Sequence, residues 1–390
     1  MPHPPESCPA CRSTQTEVLM TIPAMPVHVG LLWTTQEAAR ACDKAEMALS
    51  LCAHCGYVWN AAFDIAQMDY EQDYDNALHH SPKFANWEAD LAKGLVERHG
   101  LRGRRLAEIG PGDGRFLANL CIEGGNTGIG FEPGHNPDRV SDLVAQADVK
   151  IYDEYADADS LRGYEVDFVS SRHVLEHIPE PMMLIDTIRG GIVDGGGVYI
   201  EVPNFAWALD RGAFEDLMYE HCGYYTPETL AHLMTRAGFS DVSAEPTFDG
   251  LFAAVEAKVT GGEPSNGPVD PAIVDRIRRD VHALADRIEA VGTDFASRRD
   301  EGQRLAAWGG GARAVGLMNL VPAADAIEWV VDINPRKQGT FVTGTGHSIV
   351  APEALKEARP DAVLVVNPVY TDEIAQMLSD LGVDADLISI

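Results

Sequence analysis

The sequence predicts an α/β protein with three parts: a small metal-held module, a Rossmann-like α/β domain and a second, smaller Rossmann-like α/β domain. Two C-x-x-C pairs lie near the N-terminus, and strand-like apolar runs alternate with helix-length segments in two later regions. A stretch rich in Gly, Pro, Ser and Asn separates these two regions. The chain has 390 residues, enough for two to three domains. We predict domains at 1–66, 67–260 and 261–390.

Charge and composition exclude several classes of partner. Sixty Asp and Glu residues outnumber thirty Lys and Arg residues, and the net charge of −30 repels phosphate backbones and anionic lipids. No run approaches the ~20 apolar residues needed to span a bilayer, and the first residues lack a signal-peptide pattern. We therefore expect a cytoplasmic monomer or homodimer that binds neither nucleic acid nor membranes.

The N-terminal region contains two C-x-x-C pairs, formed by Cys8, Cys11, Cys52 and Cys55. This spacing lets both thiolates of a turn bind one tetrahedral metal. The 40 residues between the pairs must form their own loop or hairpin. Redox-active or inert buried thiols are the alternative, but two pairs in one module favour a closed, structural zinc site. Cys42 and His54 are interpreted as bystanders.

The central region begins with a helix predicted from Pro82, where apolar residues recur at helical spacing. The run RRLAEI then predicts a strand that ends in glycines. Further strands are predicted at TGIGFEP, VDFVSS and GGVYIEVP, separated by helix-length segments. This alternation is typical of a parallel sheet covered by helices.

The glycine-rich loop after the first of these strands contains Glu108, Gly110, Gly112 and Asp113. Its glycines let the backbone approach a ligand closely, and Glu132, 22 residues after Gly110, is placed to bind ribose hydroxyls. A nicotinamide enzyme would prefer G-x-G-x-x-G, whereas Arg115 occupies the third glycine position here. The acids of the loop suit a cationic amino acid better than a diphosphate. The pattern therefore favours S-adenosylmethionine.

Two further residues are candidates for cofactor binding. Asp153 falls near the end of a third strand, where an acid can accept a hydrogen bond from the adenine amine; an exposed loop acid is the alternative. Ser171 ends the strand-like run VDFVSS.

With these motifs the central region resembles class I methyltransferases. Their sheet carries E-x-G-x-G-x-G, an acid after the second strand and an L-E-H-x-x-x-P element after the fourth. Here the last element is Leu175-Glu176-His177. A structural or cofactor-side role and a catalytic role for His177 both stay open.

Titratable residues are concentrated in the segment FEDLMYEHCGYY, which contains Tyr219, Glu220, His221, Tyr224 and Tyr225. Methyl transfer needs an in-line approach and removal of a proton, so a base with a pKa near neutrality is expected. In an α/β methyltransferase this crossover lies over the methyl group of the cofactor. We interpret the segment as catalytic; a polar loop with aromatic packing residues is the alternative.

The C-terminal region follows the stretch TGGEPSNGP at 260–268, which we interpret as a linker. Asp270 and Pro271 then predict the start of one long helix. Strands are predicted at RLAAWGGG, IEWVVDINP and DAVLVVNP, each ending in Gly, Pro or Asn. These elements indicate the second α/β domain.

The whole chain resembles the zinc-containing C-methyltransferases of nucleotide-linked deoxysugars. The resemblance depends on the cysteine pairs, the E-H-x-x-Y/F-[ST] motif at Glu220, and segments starting at Trp308 and Val331 that match G-x-G/A-x-x-[KR] and D-x-x-P-x-K-Q. It implies a small-molecule acceptor, a nucleotide-linked keto sugar, in secondary metabolism or surface glycans.

The resemblance also implies roles for the residues of the E-H motif. His221 removes a proton alpha to the keto group, Glu220 orients His221, and His177 lies nearby. Met218 stands where this family has a tyrosine, so that Tyr219 or Tyr224 is expected to supply the hydroxyl. The family segment Y-x-Y-x-S-S is also replaced here, by the residues from Tyr74 to Ser81.

Three alternatives remain at this point. An O- or N-methyltransferase acting on a non-sugar natural product would use the same frame with another acceptor pocket. A scaffold protein would bind S-adenosylmethionine without releasing S-adenosylhomocysteine, but the loop acids and Glu220-His221 disfavour it. A nicotinamide oxidoreductase is disfavoured by the missing third glycine.

Overall fold

The computed structural model describes residues 5–68 and 77–389 and contains three β-sheets, one in each part of the chain. Tyr74, at which the departure from the Y-x-Y-x-S-S segment begins, lies outside the described residues. The predicted α/β class with a Rossmann-like central sheet is confirmed. Among the described residues, no helix combines the length and the apolar character needed to cross a membrane.

The N-terminal module is an antiparallel sheet held next to the cysteine pairs. Its elements are β1 (Thr16–Pro26), α1 (Gln36–Arg40), β2 (Lys44–Cys52) and β3 (Val58–Asn60). Strands β1 and β2 pair antiparallel and occupy much of the chain between the two cysteine pairs, as the spacing predicted. Gly56, with φ of 72°, makes the turn between β2 and β3, and its N–H donates to Cys52 O.

The central region contains the largest sheet. Its elements are α2 (Pro82–His99), β4 (Arg105–Ile109), α3 (Arg115–Gly124), β5 (Thr127–Phe131), β6 (Asp148–Tyr152), α4 (Ala158–Gly163), β7 (Val166–Arg172), α5 (Pro181–Gly191), β8 (Ile192–Pro203), α6 (Phe205–Arg211), β9 (Gly223–Tyr224), α7 (Pro227–Arg236), β10 (Ser240–Thr247) and β11 (Phe252–Lys258). The seven-stranded sheet has the order β10-β11-β8-β7-β4-β5-β6, in which β11 runs antiparallel to its neighbours. The parallel strands β4 to β8 therefore end at one edge of the sheet, where ligands bind in open α/β folds.

Local sequence signals explain where the helices of this region begin and end. Ser81 caps α2 by accepting from Phe84 N, Pro82 occupies the first turn, and Gly100 ends the helix with φ of 61°. Thr226 and Thr229 cap the start of α7 reciprocally. The Thr226 cap fixes the start of α7 directly after residues 214–225, the segment predicted to be catalytic and called the catalytic segment below.

The C-terminal region contains one long helix followed by a parallel sheet. Its elements are α8 (Pro271–Asp300), β12 (Leu305–Trp308), α9 (Ala312–Leu320), β13 (Ile327–Val331), β14 (Ile349–Val350), α10 (Leu355–Ala358), β15 (Ala362–Val365), α11 (Thr371–Leu381) and β16 (Asp386–Ser389). The sheet order is β14-β13-β12-β15-β16 with every pair parallel. Asp270 caps α8, as its sequence predicted.

One apolar core joins the three parts. It contains Met47 of the module, Phe214 and Leu217 of the central region, and Phe295 and Leu364 of the C-terminal region, all at most 1% exposed. Residues on both sides of the predicted domain limits at 66/67 and 260/261 share this core. The core therefore does not mark the limits, which stay a prediction. The catalytic segment around Phe214 lies where the three parts meet.

Candidate active site and metal centre

The four paired cysteines form one buried cluster in the N-terminal module. The Cys8 and Cys55 sulfurs lie 3.7 Å apart and those of Cys11 and Cys52 lie 3.5 Å apart. All four sulfurs lie within 4.8 Å of one another, and none of the cysteines forms a disulfide. Four buried thiols at such distances fit a tetrahedral, closed zinc site. Cys42, only half-buried, stands outside this cluster.

The glycine-rich loop joins β4 to α3 at the ligand-binding edge of the sheet. Gly110 has φ of 72°, and a Cβ there would lie 2.3 Å from Val174 Cγ2, so that only glycine fits. Gly112 has φ of 55° and faces open space. Among the described residues, no further atom lies within 4 Å of the position that a Cβ would occupy there. A ligand can therefore approach the backbone at Gly112.

The two acids after β5 and β6 lie at the same edge of the sheet as this loop. The Glu132 carboxylate accepts a hydrogen bond from Gly112 N at 2.9 Å, and burial raises the pKa of Glu132. Asp153 accepts from Gly134 N at 2.8 Å. Asp113 accepts from Arg115 N, and its other oxygen lies 3.7 Å from His79 Nδ1. The structure thus brings the predicted acids to one edge of the sheet.

Two buried polar atoms near the loop lack a partner among the residues at 5–68 and 77–389. Glu108 Oε2, at the end of β4, and Ser171 Oγ, near the end of β7, make no hydrogen bond there. Burial raises the pKa of Glu108 to about 8, an effect that the Arg172 guanidinium opposes. Because buried polar atoms are normally paired, these orphan acceptors fit a bound group that carries hydrogen-bond donors, such as the ammonium of S-adenosylmethionine.

Replacing Glu132 by alanine is expected to weaken the binding of S-adenosylmethionine about tenfold, or ~1.4 kcal/mol, through loss of a ribose contact. Titration calorimetry of the variant against the wild type measures this change. Glu154→Ala, one residue beyond Asp153 on an exposed turn, is the matched control and should bind normally. Unchanged affinity in Glu132→Ala, or tight binding of NADH by the wild type, would contradict the assignment of the loop.

His221 and His177 lie side by side next to the carboxyl end of β8. Their ring centroids are 5.0 Å apart and the rings meet edge to face. His221 lines a cleft of about 240 Å³ together with Asn204, Asp216 and Tyr224. His177 Nδ1 lies 3.1 Å from Glu220 O, and since a carbonyl only accepts, Nδ1 carries the proton.

Burial and the neighbouring His177 lower the pKa of His221 to about 4, although Glu176, Glu220 and Asp216 oppose this change. The imidazole of His221 is therefore neutral at physiological pH, but its pKa lies below the near-neutral value expected from the sequence for the base.

Glu176 is a buried member of this site that the sequence alone did not assign. It is 2% exposed, its Oε1 lies 3.7 Å from His173 Nδ1, and it groups with His177 and His221 within 4.8 Å. Burial opposes ionisation of Glu176, but the histidines 173, 177 and 221 together hold its pKa below the usual value. The only sequence signal was its place within Leu175-Glu176-His177.

The other predicted catalytic residues form hydrogen bonds away from His221. Glu220 Oε1 accepts from Val29 N at 2.5 Å and lies 3.8 Å from His28 Nδ1. The Tyr219 hydroxyl accepts from Asp64 N at 2.9 Å. The Tyr224 hydroxyl both accepts from Met218 N and donates to Met218 O, and the Tyr224 ring lies 6.3 Å from the His221 ring. A direct catalytic role for these three side chains stays a prediction.

The catalytic segment is held by both neighbouring domains. Strand β9 pairs antiparallel with β3 of the module, through Val58 and Tyr224. On the other side, Arg313 of the C-terminal region forms a two-pronged ion pair with Asp216 at 2.5 Å. These contacts join residues far apart in the chain, and no local sequence pattern predicts them.

Comparisons with known proteins agree with this geometry. A methyltransferase domain is matched by residues 83–244, and a C-methyltransferase C-terminal domain by residues 270–385. The C-methyltransferase NovU of Streptomyces niveus is 23% identical over 309 residues, which cover 72% of this chain and 70% of NovU.

Solved structures align with just under half of this chain at low similarity. An O-methyltransferase family protein from Burkholderia thailandensis aligns with a TM-score of 0.37 and 18% identity over 46% of this chain and 59% of that one. A SAM-dependent methyltransferase from Archaeoglobus fulgidus aligns with a TM-score of 0.34 and 23% identity over 46% of this chain and 100% of that one. The match therefore spans less than two thirds of the first of these structures.

The sheet, the glycine-rich loop and the matched domains define an S-adenosylmethionine-dependent methyltransferase. The chain is similar to the C-methyltransferase NovU, and residues 270–385 match a C-methyltransferase C-terminal domain. The predicted resemblance to C-methyltransferases is confirmed.

Proposed function

We propose that the protein methylates a carbon next to a keto group in a nucleotide-linked deoxysugar, with His221 as the general base. The observation that carries this proposal is a neutral imidazole, His221, lining a cleft at the carboxyl end of β8 with a second histidine against it. Enolate formation next to a ketone needs a base that removes the alpha proton. NovU, by its name a C-methyltransferase, supports methylation at carbon.

In this reaction the chain's residues bind, orient and move one proton. His221 takes the proton from the carbon alpha to the keto group, and the C–H electron pair passes into the enolate. The enolate carbon then forms the new C–C bond as the methyl–sulfur bond breaks and its electrons stay on sulfur. Bound S-adenosylmethionine supplies the electrophilic methyl group. The ionised carboxylate of Glu176, close to both histidines, stabilises the imidazolium that forms on His221.

The cofactor residues act by position. We propose that Glu132 binds the ribose hydroxyls and Asp153 the adenine amine, while Glu108 and Asp113 face the amino acid end. Because Gly110 and Gly112 have no side chains, the cofactor can approach the backbone of the loop closely. The positive φ at these glycines and the unpartnered Glu108 and Ser171 atoms support this arrangement.

The nucleotide part of the acceptor is proposed to bind between the module and the C-terminal domain. A small cleft there is lined by Val29, Gly310 and Lys337. Lys337 is 8% exposed, and its ammonium lies 3.7 Å from Asp332, which also accepts from Gly310 N. Val29 lines this small cleft and also donates to Glu220 of the catalytic segment. A buried ammonium beside a helix start suits phosphate oxygens.

We also propose that Cys8, Cys11, Cys52 and Cys55 hold one structural zinc ion. Their burial and mutual distances support a closed four-thiolate site. A site without an open position does no chemistry. Its role is to hold β2 and β3, and through β9 the catalytic segment.

The base assignment can be tested without methyl transfer. In D2O, with S-adenosylhomocysteine in place of the cofactor, the enzyme should exchange deuterium into one carbon next to the ketone of a nucleoside diphosphate-linked 4-keto-6-deoxyhexose. His221→Ala should lose this exchange, whereas His282→Ala, an exposed histidine on α8, should retain it. No exchange by the wild type would contradict the keto sugar, and exchange by His221→Ala would contradict the base.

A further inference from the structure

Arg313 of the C-terminal region joins the catalytic segment by a mostly buried ion pair with Asp216, and its Nη1 lies 3.8 Å from Glu215 Oε1. Arg313 Nε and Nη2 donate to the two Asp216 oxygens at 2.5 Å each, with side-chain exposures of 11% and 16%. A guanidinium with two parallel bonds to one carboxylate fixes orientation as well as distance. The pair therefore restrains where Asp216 can lie.

Arg313 is itself held on several sides by neighbouring groups. It lies in the first turn of α9, directly after the glycines 309–311. Its Nη1 donates to Val366 O at 3.3 Å, and its guanidinium lies 4.8 Å from the centroid of the Trp207 ring. Packing on an indole face and a backbone acceptor leave the guanidinium little freedom.

Asp216 is a wall of the cleft that contains His221. Both residues line this cleft, and Asp216 precedes His221 by five positions in the same segment. The segment begins with a short 3-10 turn, Phe214–Asp216, which α9 packs against at Gly316: a Cβ on Gly316 would lie 2.3 Å from Glu215 O. The C-terminal domain thus contacts the turn from which the catalytic segment extends.

We propose that Arg313 is a positioning residue of the active site, which holds Asp216 and thereby the segment that carries His221. The C-terminal domain then completes the catalytic site, and does not only bind part of the acceptor. This inference rests on the proposed function, because it assigns Arg313 a role through His221. Asp216 also affects His221 through its negative charge.

The charged groups that face His221 predict in which direction its pKa changes in each variant. His177 lowers the pKa of His221, and Glu176, Glu220 and Asp216 raise it. Loss of Arg313 removes a nearby cation and leaves the Asp216 carboxylate uncompensated, so that imidazolium becomes easier to form at His221. The acid limb of the rate profile should therefore move to higher pH in Arg313→Gln and to lower pH in Asp216→Asn.

The test uses the full-length enzyme and four variants: Arg313→Gln, Arg313→Lys, Asp216→Asn and the double variant Arg313→Gln/Asp216→Asn. Arg278→Gln is the matched control, because Arg278 also forms an ion pair between domains, with Glu17 at 2.6 Å, but away from the cleft. The measurements are single-turnover methyl transfer against pH, KM for the acceptor, and hydrogen–deuterium exchange of the peptide 214–225.

We expect Arg313→Gln to lower the single-turnover rate about tenfold with little change in KM, and to shift the acid limb upward by about half a unit. Exchange of the 214–225 peptide should increase several-fold, while the glycine-loop peptide 105–117 stays unchanged. Arg313→Lys should rescue in part, and the double variant should lose less than the sum of the single effects. Arg278→Gln should behave like the wild type.

Two results would overturn the proposal. One is a wild-type rate and acid limb in Arg313→Gln, even if its stability falls, because the ion pair would then only fasten two domains. The other is an unchanged exchange rate of the 214–225 peptide in both single variants. Failure of the base assignment is distinguishable: His221→Ala would then retain activity, whereas the exchange data would still report whether Arg313 holds the segment.

Discussion

Replacing His221 by alanine is expected to slow single-turnover methyl transfer about a hundredfold or more, the usual scale of general-base catalysis. Affinity for S-adenosylmethionine should stay near that of the wild type, because the proposed cofactor residues lie at the ends of β4 and β7 and on the loops after β4 to β6. The measurement is rapid-quench transfer from cofactor labelled in the methyl group. Catalysis by positioning alone would account for any residual rate.

The pH dependence of the wild type follows from the environment of His221. Its lowered pKa of about 4 means that the base is neutral at higher pH and is lost only as the pH falls through that value. The rate should therefore be flat on the acid side until the pH approaches about 4, rather than falling near the usual histidine value of about 6.5.

Four variants separate the roles within the site. Glu220→Gln should have a smaller effect than His221→Ala, because its carboxylate binds Val29 N. His177→Asn is the internal control, and a loss equal to that of His221→Ala would move the base to His177 or divide the role. Phe replacements at Tyr219 and Tyr224 show whether either hydroxyl contributes. A wild-type single-turnover rate in His221→Ala would contradict the base assignment.

Cys52→Ser is expected to lose the zinc ion and to lower the thermal unfolding midpoint by roughly 10 °C or more. Removing one thiolate opens a closed site, and the folding free energy supplied by the metal is then lost. Because β3 of the module pairs with β9, methyl transfer should fall together with the metal content. Elemental analysis, calorimetric melting and activity on one preparation measure the three effects.

Cys42→Ser is the matched control for the metal site. Cys42 belongs to the same module but stands outside the cluster, so that zinc content and melting should be unchanged. Absence of stoichiometric metal in wild-type protein purified without chelator would contradict the zinc proposal. Full zinc content in Cys52→Ser would contradict the ligand set.

Features with a local cause were predictable from the sequence. The glycines 110 and 112 were recognisable because their positions require a positive φ or open space beside the backbone. The helix starts at Pro82 and Pro271 were predictable because Ser81 and Asp270 cap them within three residues. The cysteine cluster followed from ligand spacing, since each pair shares one turn.

Features that depend on distant partners were not predictable. The two-residue strands β9 and β14 carry too few residues for a pattern, and pairing with another strand creates them. Glu220 was expected to orient His221, but the module supplies a backbone N–H from Val29, 191 residues away. Arg313 was recognisable only as part of a family motif, while its partner Asp216 lies 97 residues earlier. Side-chain direction in a loop is set by such tertiary contacts.

We propose that this enzyme forms a carbon–carbon bond on a keto sugar. The most direct measurement is NMR of the product formed from S-adenosylmethionine with a 13C-labelled methyl group and a nucleoside diphosphate-linked 4-keto-6-deoxyhexose. We predict a labelled methyl resonance in the aliphatic C–CH3 region, coupled to the carbon next to the ketone, and loss of the proton at that carbon. A labelled resonance in the O–CH3 or N–CH3 region, or no transfer while S-adenosylmethionine binds, would contradict the account.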